Sequence, residues 1–388
     1  MSEARFEMSA NTIPPRRIMK TPRRVEIFIT SRCNLKCEYC CHFTSSSDVE
    51  KDLNTADWLA FFEVLGRARV MTVNIVGGEP FTRPDFLALL DGIANNNMRY
   101  NIITNGTLID EAIASHIAET NRCSEVTVSI DGADAWTNDR FRGNGSFKAA
   151  TKGIAALKRY DLPVSATMTI NKSNVNKLEE IAHFFLDRLG LFRFHTNSTS
   201  YLGKARERMD EFVLNAQDRS LAMRTLFDLR AKYNGRIGGR VGPIFEADIW
   251  TQLDQSSRNR GKGNGDEGRL RVCEQFYDSI TVRSDGVLVP CGFLSHIELG
   301  DVTKSDFVDV WQNSDQLNIL RSRNCQSMED LSFCRNCRYV QYCTGGCPAL
   351  AYSRYGDVNR PSFEGCLRQF LADGGILPKL HIGPIISD

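Results

Sequence analysis

One run constrains this chain more than any other: Cys33-Asn34-Leu35-Lys36-Cys37-Glu38-Tyr39-Cys40. Three cysteines spaced C-x3-C-x2-C follow a stretch, Val25 to Ile29, that reads as a β-strand. Three thiolates hold three irons of a 4Fe–4S cube and leave the fourth iron without a protein ligand. An iron with an open position is a place for chemistry, whereas a fully ligated cluster mostly passes electrons. The competing reading is zinc, whose sites usually show paired C-x2-C units and four N/S ligands. Here Cys41 and His42 would have to complete such a set.

Composition narrows the setting. A chain of 388 residues accommodates one large domain and a smaller one. Its 42% hydrophobic content is that of an ordinary globular protein. The net charge of +1 offers no bulk field for nucleic acid or a membrane surface. No apolar run approaches the ~20 residues of a membrane helix. Met1 to Lys20 lacks the apolar h-region of a secretory signal. A cytoplasmic chain with no nucleic acid and no membrane partner is expected. In that setting 13 cysteines point to metal ligation or catalysis before disulfides.

The pattern divides the chain into an N-terminal arm (1–22), a core (23–235), a linker or bridging region (236–270), a cysteine-rich domain (271–370) and a C-terminal tail (371–388). Within the core, Met71 to Val76, Tyr100 to Thr104, Val126 to Ile130, Val164 to Ile170 and Phe192 to Thr196 are further predicted strands. Helical spacing separates them, as in Trp58, Phe61, Phe62 and Leu65, Phe147 to Arg159, and Val175 to Leu189. Six strand–helix units predict an α/β fold with parallel strands, either doubly wound or an open barrel. Residues 256–269, rich in Gly, Asn and charge, are expected to be a loop.

Chemistry-bearing residues recur at the predicted strand ends. Gly77-Gly78-Glu79-Pro80 closes the second strand; its glycines permit close backbone approach, and Glu79 with nearby carbonyls can accept bonds from an ammonium. Asn105-Gly106-Thr107 follows the third strand. Ser129-Ile130-Asp131-Gly132 ends the fourth, where a Ser and an Asp can bond ribose hydroxyls, although an Asx turn is the simpler reading. Arg140 and Arg142 follow, and a guanidinium suits a carboxylate.

With the aromatic Tyr39 before its last cysteine, the N-terminal motif resembles the signature of the radical S-adenosylmethionine (SAM) enzymes. The resemblance implies a partial (β/α)6 TIM-like barrel. It implies that the open iron is chelated by SAM, and that one electron cleaves SAM to methionine and a 5′-deoxyadenosyl radical. By position it assigns Gly78 and Glu79 to the SAM amino group, with Asn105 beside them. It assigns Ser129 and Asp131 to the ribose, and Arg142 (or Arg140) to the carboxylate. Thr196 or Asn197 would meet the adenine.

Most of the cysteines lie from Cys273 to Cys366. Ile280 to Arg283, Asp285-Gly286 and Val287 to Val289 read as a tight hairpin ahead of Cys291. Then come Cys334-x2-Cys337-x5-Cys343-x3-Cys347 and Cys366. This pattern resembles the SPASM domain, which carries two auxiliary iron–sulfur clusters, so three 4Fe–4S clusters are implied in all. Residue by residue, the resemblance gives Cys334, Cys337, Cys343 and Cys366 to an outer cluster. Cys273, Cys291 and Cys347 go to an inner one, whose fourth ligand is left as Cys325, Asp278, the substrate or none. Cys41 and Cys123 are expected to be non-ligands. The resemblance covers about residues 23–370.

Enzymes of this kind that modify peptides imply the function: oxidative cross-linking, through a carbon–carbon (cyclophane-type) or thioether bond, in a ribosomally made precursor peptide. The auxiliary clusters would take the electron. Residues after the signature, Cys40-Cys41-His42-Phe43, resemble those of SynChlorMet-cassette maturases. The 22-residue arm is shorter than a leader-binding domain, so a separate leader-binding protein or the barrel surface is expected to serve. Flavodoxin or ferredoxin is the expected electron donor. The alternatives are a formylglycine-type sulfatase maturase, a small-molecule radical SAM dehydrogenase, and an electron carrier without catalysis.

Overall fold

Strands form where β-branched and aromatic residues alternate with polar ones. They are β1 (Arg24–Phe28), β2 (Thr72–Val76), β3 (Arg99–Thr104), β4 (Cys123–Ser129), β5 (Val164–Ile170) and β6 (Arg193–Ser198). The computed structural model describes residues 18–41, 51–259 and 268–379. Most of the expected arm, His42, Phe43, much of the loop at 256–269 and the end of the tail lie outside the described residues. β1 to β6 are parallel, and each pairs with the next in sequence. A doubly wound sheet reverses its order part-way. This one does not, so it is the open barrel of the two expected alternatives.

Four short strands extend both edges: β7 (Ile237–Gly238), β8 (Ser279–Val282), β9 (Val287–Val289) and β10 (Gly300–Asp301). The complete order is β10-β9-β8-β1-β2-β3-β4-β5-β6-β7. The predicted hairpin is the antiparallel pair β8–β9, turned at Gly286 with φ +90°. It does not stand apart, because β8 pairs in parallel with β1 from Arg24↔Ser279 to Ile27↔Val282. The cysteine-rich part is thus stitched to the strand that carries the N-terminal motif.

The pleat gives the sheet two unlike faces. Val25, Ile27, Val73, Ile75, Val126 and Val128 are buried in one core with the helices. The first helix, Thr55–Arg67, is capped by Asn54, whose side chain accepts from the Asp57 N–H. It buries Trp58, Phe61, Phe62 and Leu65, and Trp58 stacks on Phe62 with ring centroids 6.0 Å apart. The opposite, concave face carries Glu26, Asn74, Asn101, Glu125, Thr127 and His195, all only partly buried. Among the described residues no helix is long and apolar enough to cross a membrane.

Two expectations are corrected. The bridging region contains a helix, Pro243–Asn259, so Ser256 to Asn259 are helical and not loop. Its inward residues Ile244, Ala247, Trp250, Thr251 and Asp254 recur at helical spacing, which the Gly-rich composition just beyond masks. Val175 to Leu189 is no single helix. It runs from a 3-10 turn, Val175–Lys177, through an α-helix, Leu178–His183, to a π-helical segment, Phe184–Arg188.

The ends of β1 and β2 are clasped together. Gly78 N–H donates to the Thr30 carbonyl and Glu79 N–H to the Arg32 carbonyl, both at 2.8 Å. A methyl group added at Gly78 would lie 2.0 Å from the Arg32 carbonyl oxygen. The close approach that this glycine permits is therefore to the cysteine loop's own backbone. Gly78→Ala is expected to lose about 1–3 kcal/mol of stability. Gly238→Ala, whose methyl meets nothing nearer than 3.7 Å, is expected to stay within about 0.5 kcal/mol. Denaturant titration of both variants under anaerobic conditions checks the contrast.

Candidate cluster and cofactor site

Because β1 to β6 are parallel, their following loops gather at one edge of the barrel. The cysteine loop enters it on a carboxylate. Asp52 accepts from the Thr30 hydroxyl at 2.7 Å, the Ser31 N–H at 3.1 Å and the Arg32 guanidinium at 2.9 Å. Buried Arg83 donates to the Ile29 and Leu53 carbonyls and pairs with Asp85 at 2.6 Å. Farther along, Asn34 and Asn105 join the loop to β3. The Asn105 amide donates to Asn34 Oδ1 at 2.8 Å and lies 4.0 Å from Cys33 Sγ.

Cys33, Cys37 and Cys40 lie within electrostatic reach of one another. Burial pushes the Cys33 thiol up to about 11 and raises Cys37 as well. Thiolates here need a cation to neutralise them, and metal coordination deprotonates a thiol outright. None of the chain's cysteines forms a disulfide. Among the described residues no three His, Cys, Asp or Glu side chains converge tightly enough for a single ion. His42, which the zinc reading required, lies outside the described residues, and the three thiols grouped on one loop suit a multi-iron cluster.

Glu79 is fully buried. Its carboxylate accepts from the Thr104 hydroxyl and the Asn105 N–H, each at 2.7 Å. Burial pushes it up to about 6, against the pull of those donors. Ser129 sits half-buried at the end of β4, in register with Thr167 of β5.

Asp131 is fully buried and engaged by protein groups. It accepts from the Tyr39 hydroxyl, from Arg142 Nε at 2.5 Å and Nη2 at 3.2 Å, and from the Thr169 N–H at 2.7 Å. Both its oxygens serve the protein, so it is no open acceptor for a ribose. Arg142 stands within electrostatic reach of Cys37 and Cys40, while Arg140 is exposed and lies over Trp136 and Phe141. Tyr39 packs against Phe141 and Phe212 with centroids 6.0 and 6.3 Å away.

Thr196 departs from its expected place. It shares the pleat face of Phe194, is fully buried, and its hydroxyl donates to the Gly238 carbonyl at 3.4 Å. Asn197 is the residue on the open face, and its amide donates to Thr167 Oγ1 at 3.3 Å. Sequence reasoning also missed a charged row on that face. Arg193 and His195 of β6 approach Glu125 of β4, His195 Nε2 at 3.9 Å. Burial, then the nearby Arg193, hold His195 below its ordinary pKa, against the pull of Glu125. The alternation Arg193, His195, Asn197 was the available signal.

The C-terminal cysteines form two groups. Cys334, Cys337, Cys343 and Cys366 line one pocket with Met328, Phe333 and Leu367. Burial pushes Cys334 up to about 12 and raises Cys343 and Cys366. Cys273, Cys291 and Cys347 lie within electrostatic reach of one another, and Glu26 on β1 is beside Cys291. Asp278 pairs with Arg24 through one oxygen at 2.7 Å, and its other oxygen is buried without a hydrogen-bond partner among the described residues. Cys325 is exposed on a 3-10 turn, Cys41 is exposed, and Cys123 is half-buried at the start of β4.

An open parallel barrel with a three-thiol loop at its first strand, and two further thiol groups on an extension of the same sheet, defines a class. Residues 27–185 match the radical SAM superfamily, and residues 273–338 match the SPASM iron–sulfur cluster-binding domain. The protein is a radical SAM enzyme with a C-terminal SPASM domain. It is 28% identical over 344 residues to an AdoMet-dependent heme synthase of Methanosarcina barkeri, across 87% of this chain and 94% of that one. It is 24% identical over 376 residues to the PqqA peptide cyclase of Rhizobium meliloti, across 95% and 92%. Its fold matches Streptococcus suis SuiB, solved with the precursor peptide SuiA, at a TM-score of 0.69 and 18% identity, covering 90% of this chain and 77% of that one.

The buried Asp131 network makes a prediction. Asp131→Ala strands Arg142 without its counter-charge and is expected to cost about 3–5 kcal/mol. Tyr39→Phe removes one bond to a charged acceptor and is expected to cost about 1–3 kcal/mol. Thermal unfolding of both variants checks the order.

Proposed function

We propose that this enzyme modifies a ribosomally made precursor peptide by radical chemistry, forming an oxidative carbon–carbon or thioether cross-link. The observation that carries the reading is the four-thiol pocket of Cys334, Cys337, Cys343 and Cys366, in addition to the inner group of Cys273, Cys291 and Cys347. A peptide cyclase among the relatives that match nearly the whole chain supports it. A 4Fe–4S cluster held by Cys33, Cys37 and Cys40, with SAM, would supply the radical chemistry that removes one hydrogen atom from the substrate.

The chain's residues would hold and aim the rest. Cys33, Cys37 and Cys40 would ligate the SAM-binding cluster, and the other two thiol groups the auxiliary ones, three clusters in all. Gly78 and Glu79, with Asn105 behind them, would set the edge that meets the SAM amino group. Ser129 would face the ribose and Asn197, in place of Thr196, the adenine. Arg142 keeps its proposed role toward the carboxylate only through a nitrogen that Asp131 does not hold. Closing the new bond removes a second hydrogen as one proton and one electron. The electron would pass to the auxiliary cluster that Cys273, Cys291 and Cys347 would hold, and the proton to a base that the substrate brings within reach.

A second reading is favoured by the heme synthase among the relatives: a small tetrapyrrole-like molecule as substrate. Anaerobic co-expression with each short open reading frame beside the gene, followed by high-resolution peptide mass, tests the choice. The expected outcome is loss of two hydrogens from one peptide, absent when Cys33, Cys37 and Cys40 are all changed to Ala. SAM cleavage to 5′-deoxyadenosine with every peptide unchanged would overturn the peptide reading in favour of the small molecule.

A further inference from the structure

Arg323 is a buried cation that the proposed chemistry does not use. It is 2% exposed. Its hydrogen bonds among the described residues go to backbone carbonyls: Nε to Val358 at 2.6 Å, Nη2 to Arg360 at 2.8 Å, and Nη1 to Arg271. Arg271 lies two residues before Cys273. Val358 and Arg360 follow the helix Pro348–Tyr355, whose N-cap is Cys347. One guanidinium therefore ties together the segments that carry two of the three inner thiols.

Carbonyl oxygens do not neutralise a charge, and a buried charge is costly unless paired. Burial pushes the Arg323 guanidinium down to about 10, opposed first by the Cys347 thiol, then by Asp357 and Cys273. Asp357 is itself within 3.6 Å of Arg360. Buried Arg321, two residues away, likewise donates to backbone carbonyls, of Phe276 and Trp311, and lies over the Trp311 ring at 4.5 Å, but no thiol is within its electrostatic reach. No carboxylate hydrogen-bonds to Arg323 among the described residues, and an anionic thiolate group at Cys273 and Cys347 would supply the counter-charge that the distant Asp357, drawn to Arg360, only partly gives.

We propose that Arg323 is the positioning and charge-compensating residue of the inner auxiliary cluster, holding Cys273 and Cys347 in place and keeping that cluster easier to reduce. The inference rests on the inner group holding a cluster, not on the identity of the substrate. A fixed positive charge favours the reduced, more negative state, and its removal lowers the potential.

The test compares Arg323→Gln and Arg323→Lys with the unaltered full-length enzyme, reconstituted anaerobically. Iron and sulfide are counted, and each cluster's potential is followed by redox titration with electron paramagnetic resonance. Expected is a reduction equilibrium of the inner cluster at least tenfold less favourable in Arg323→Gln, about 59 mV for one electron, or selective loss of that cluster. Arg323→Lys, which keeps the charge, is expected to restore most of the effect. An inner cluster with unchanged potential in Arg323→Gln would overturn the proposal. So would equal damage in both variants, or loss of all clusters together. If the unaltered enzyme binds iron for only two clusters, it is the reading of the inner thiol group that fails instead.

Discussion

The structure turns on Asp131. Its carboxylate is sealed from solvent at the end of β4, yet it reaches three separate pieces of chain. The Tyr39 hydroxyl belongs to the cysteine loop, Arg142 to the helix Ala135–Arg142, and the Thr169 N–H to β5. A buried carboxylate with a bidentate guanidinium and two further donors is strongly held, because each partner would otherwise be left unsatisfied in a medium poor in water. Tyr39 stands between Cys37 and Cys40, so fixing its hydroxyl fixes the loop that carries two of the three N-terminal thiols. Phe141 and Phe212 close on the Tyr39 ring and keep the ion pair dry.

Much of this was legible in the sequence, and what was not has physical causes. The six barrel strands showed themselves because alternation and strand-end glycines are local signals. The two thiol groupings came from the family resemblance, and the fold brings the same cysteines together. The role of Asp131 was not, since a strand-end Asp reads equally as a ligand contact, a turn or an ion pair. Only the fold brings Arg142 and Tyr39 to it. Thr196 illustrates the other failure. Successive residues of a strand face opposite sides of the sheet, so of the two neighbours expected at the cofactor, Thr196 and Asn197, Thr196 faces the core. Asn197 takes the open face for the same reason. Arg323 carried no pattern at all, as its partners are carbonyls scattered from residue 271 to residue 360.

β1 is where these parts meet. On one side it pairs with β2, whose Gly77-Gly78 end clasps the cysteine loop. On the other it pairs with β8, which leads through the hairpin to Cys291. The concave side of the same strand presents Glu26, whose carboxylate accepts from the Thr281 hydroxyl at 3.3 Å and lies beside Cys291. Gly292 follows, and a methyl group there would strike the Phe28 ring at 2.5 Å. The N-terminal thiols and the inner thiols are therefore tied to one five-residue strand, the first through the loop that follows β1 and the second through β8 and its hairpin. A parallel register of four residue pairs between β1 and β8 leaves little freedom to slide, because a one-residue slip would turn Ile280 and Val282 out of the core. The spacing between the two thiol groups is thus set by backbone pairing, the stiffest element the fold has.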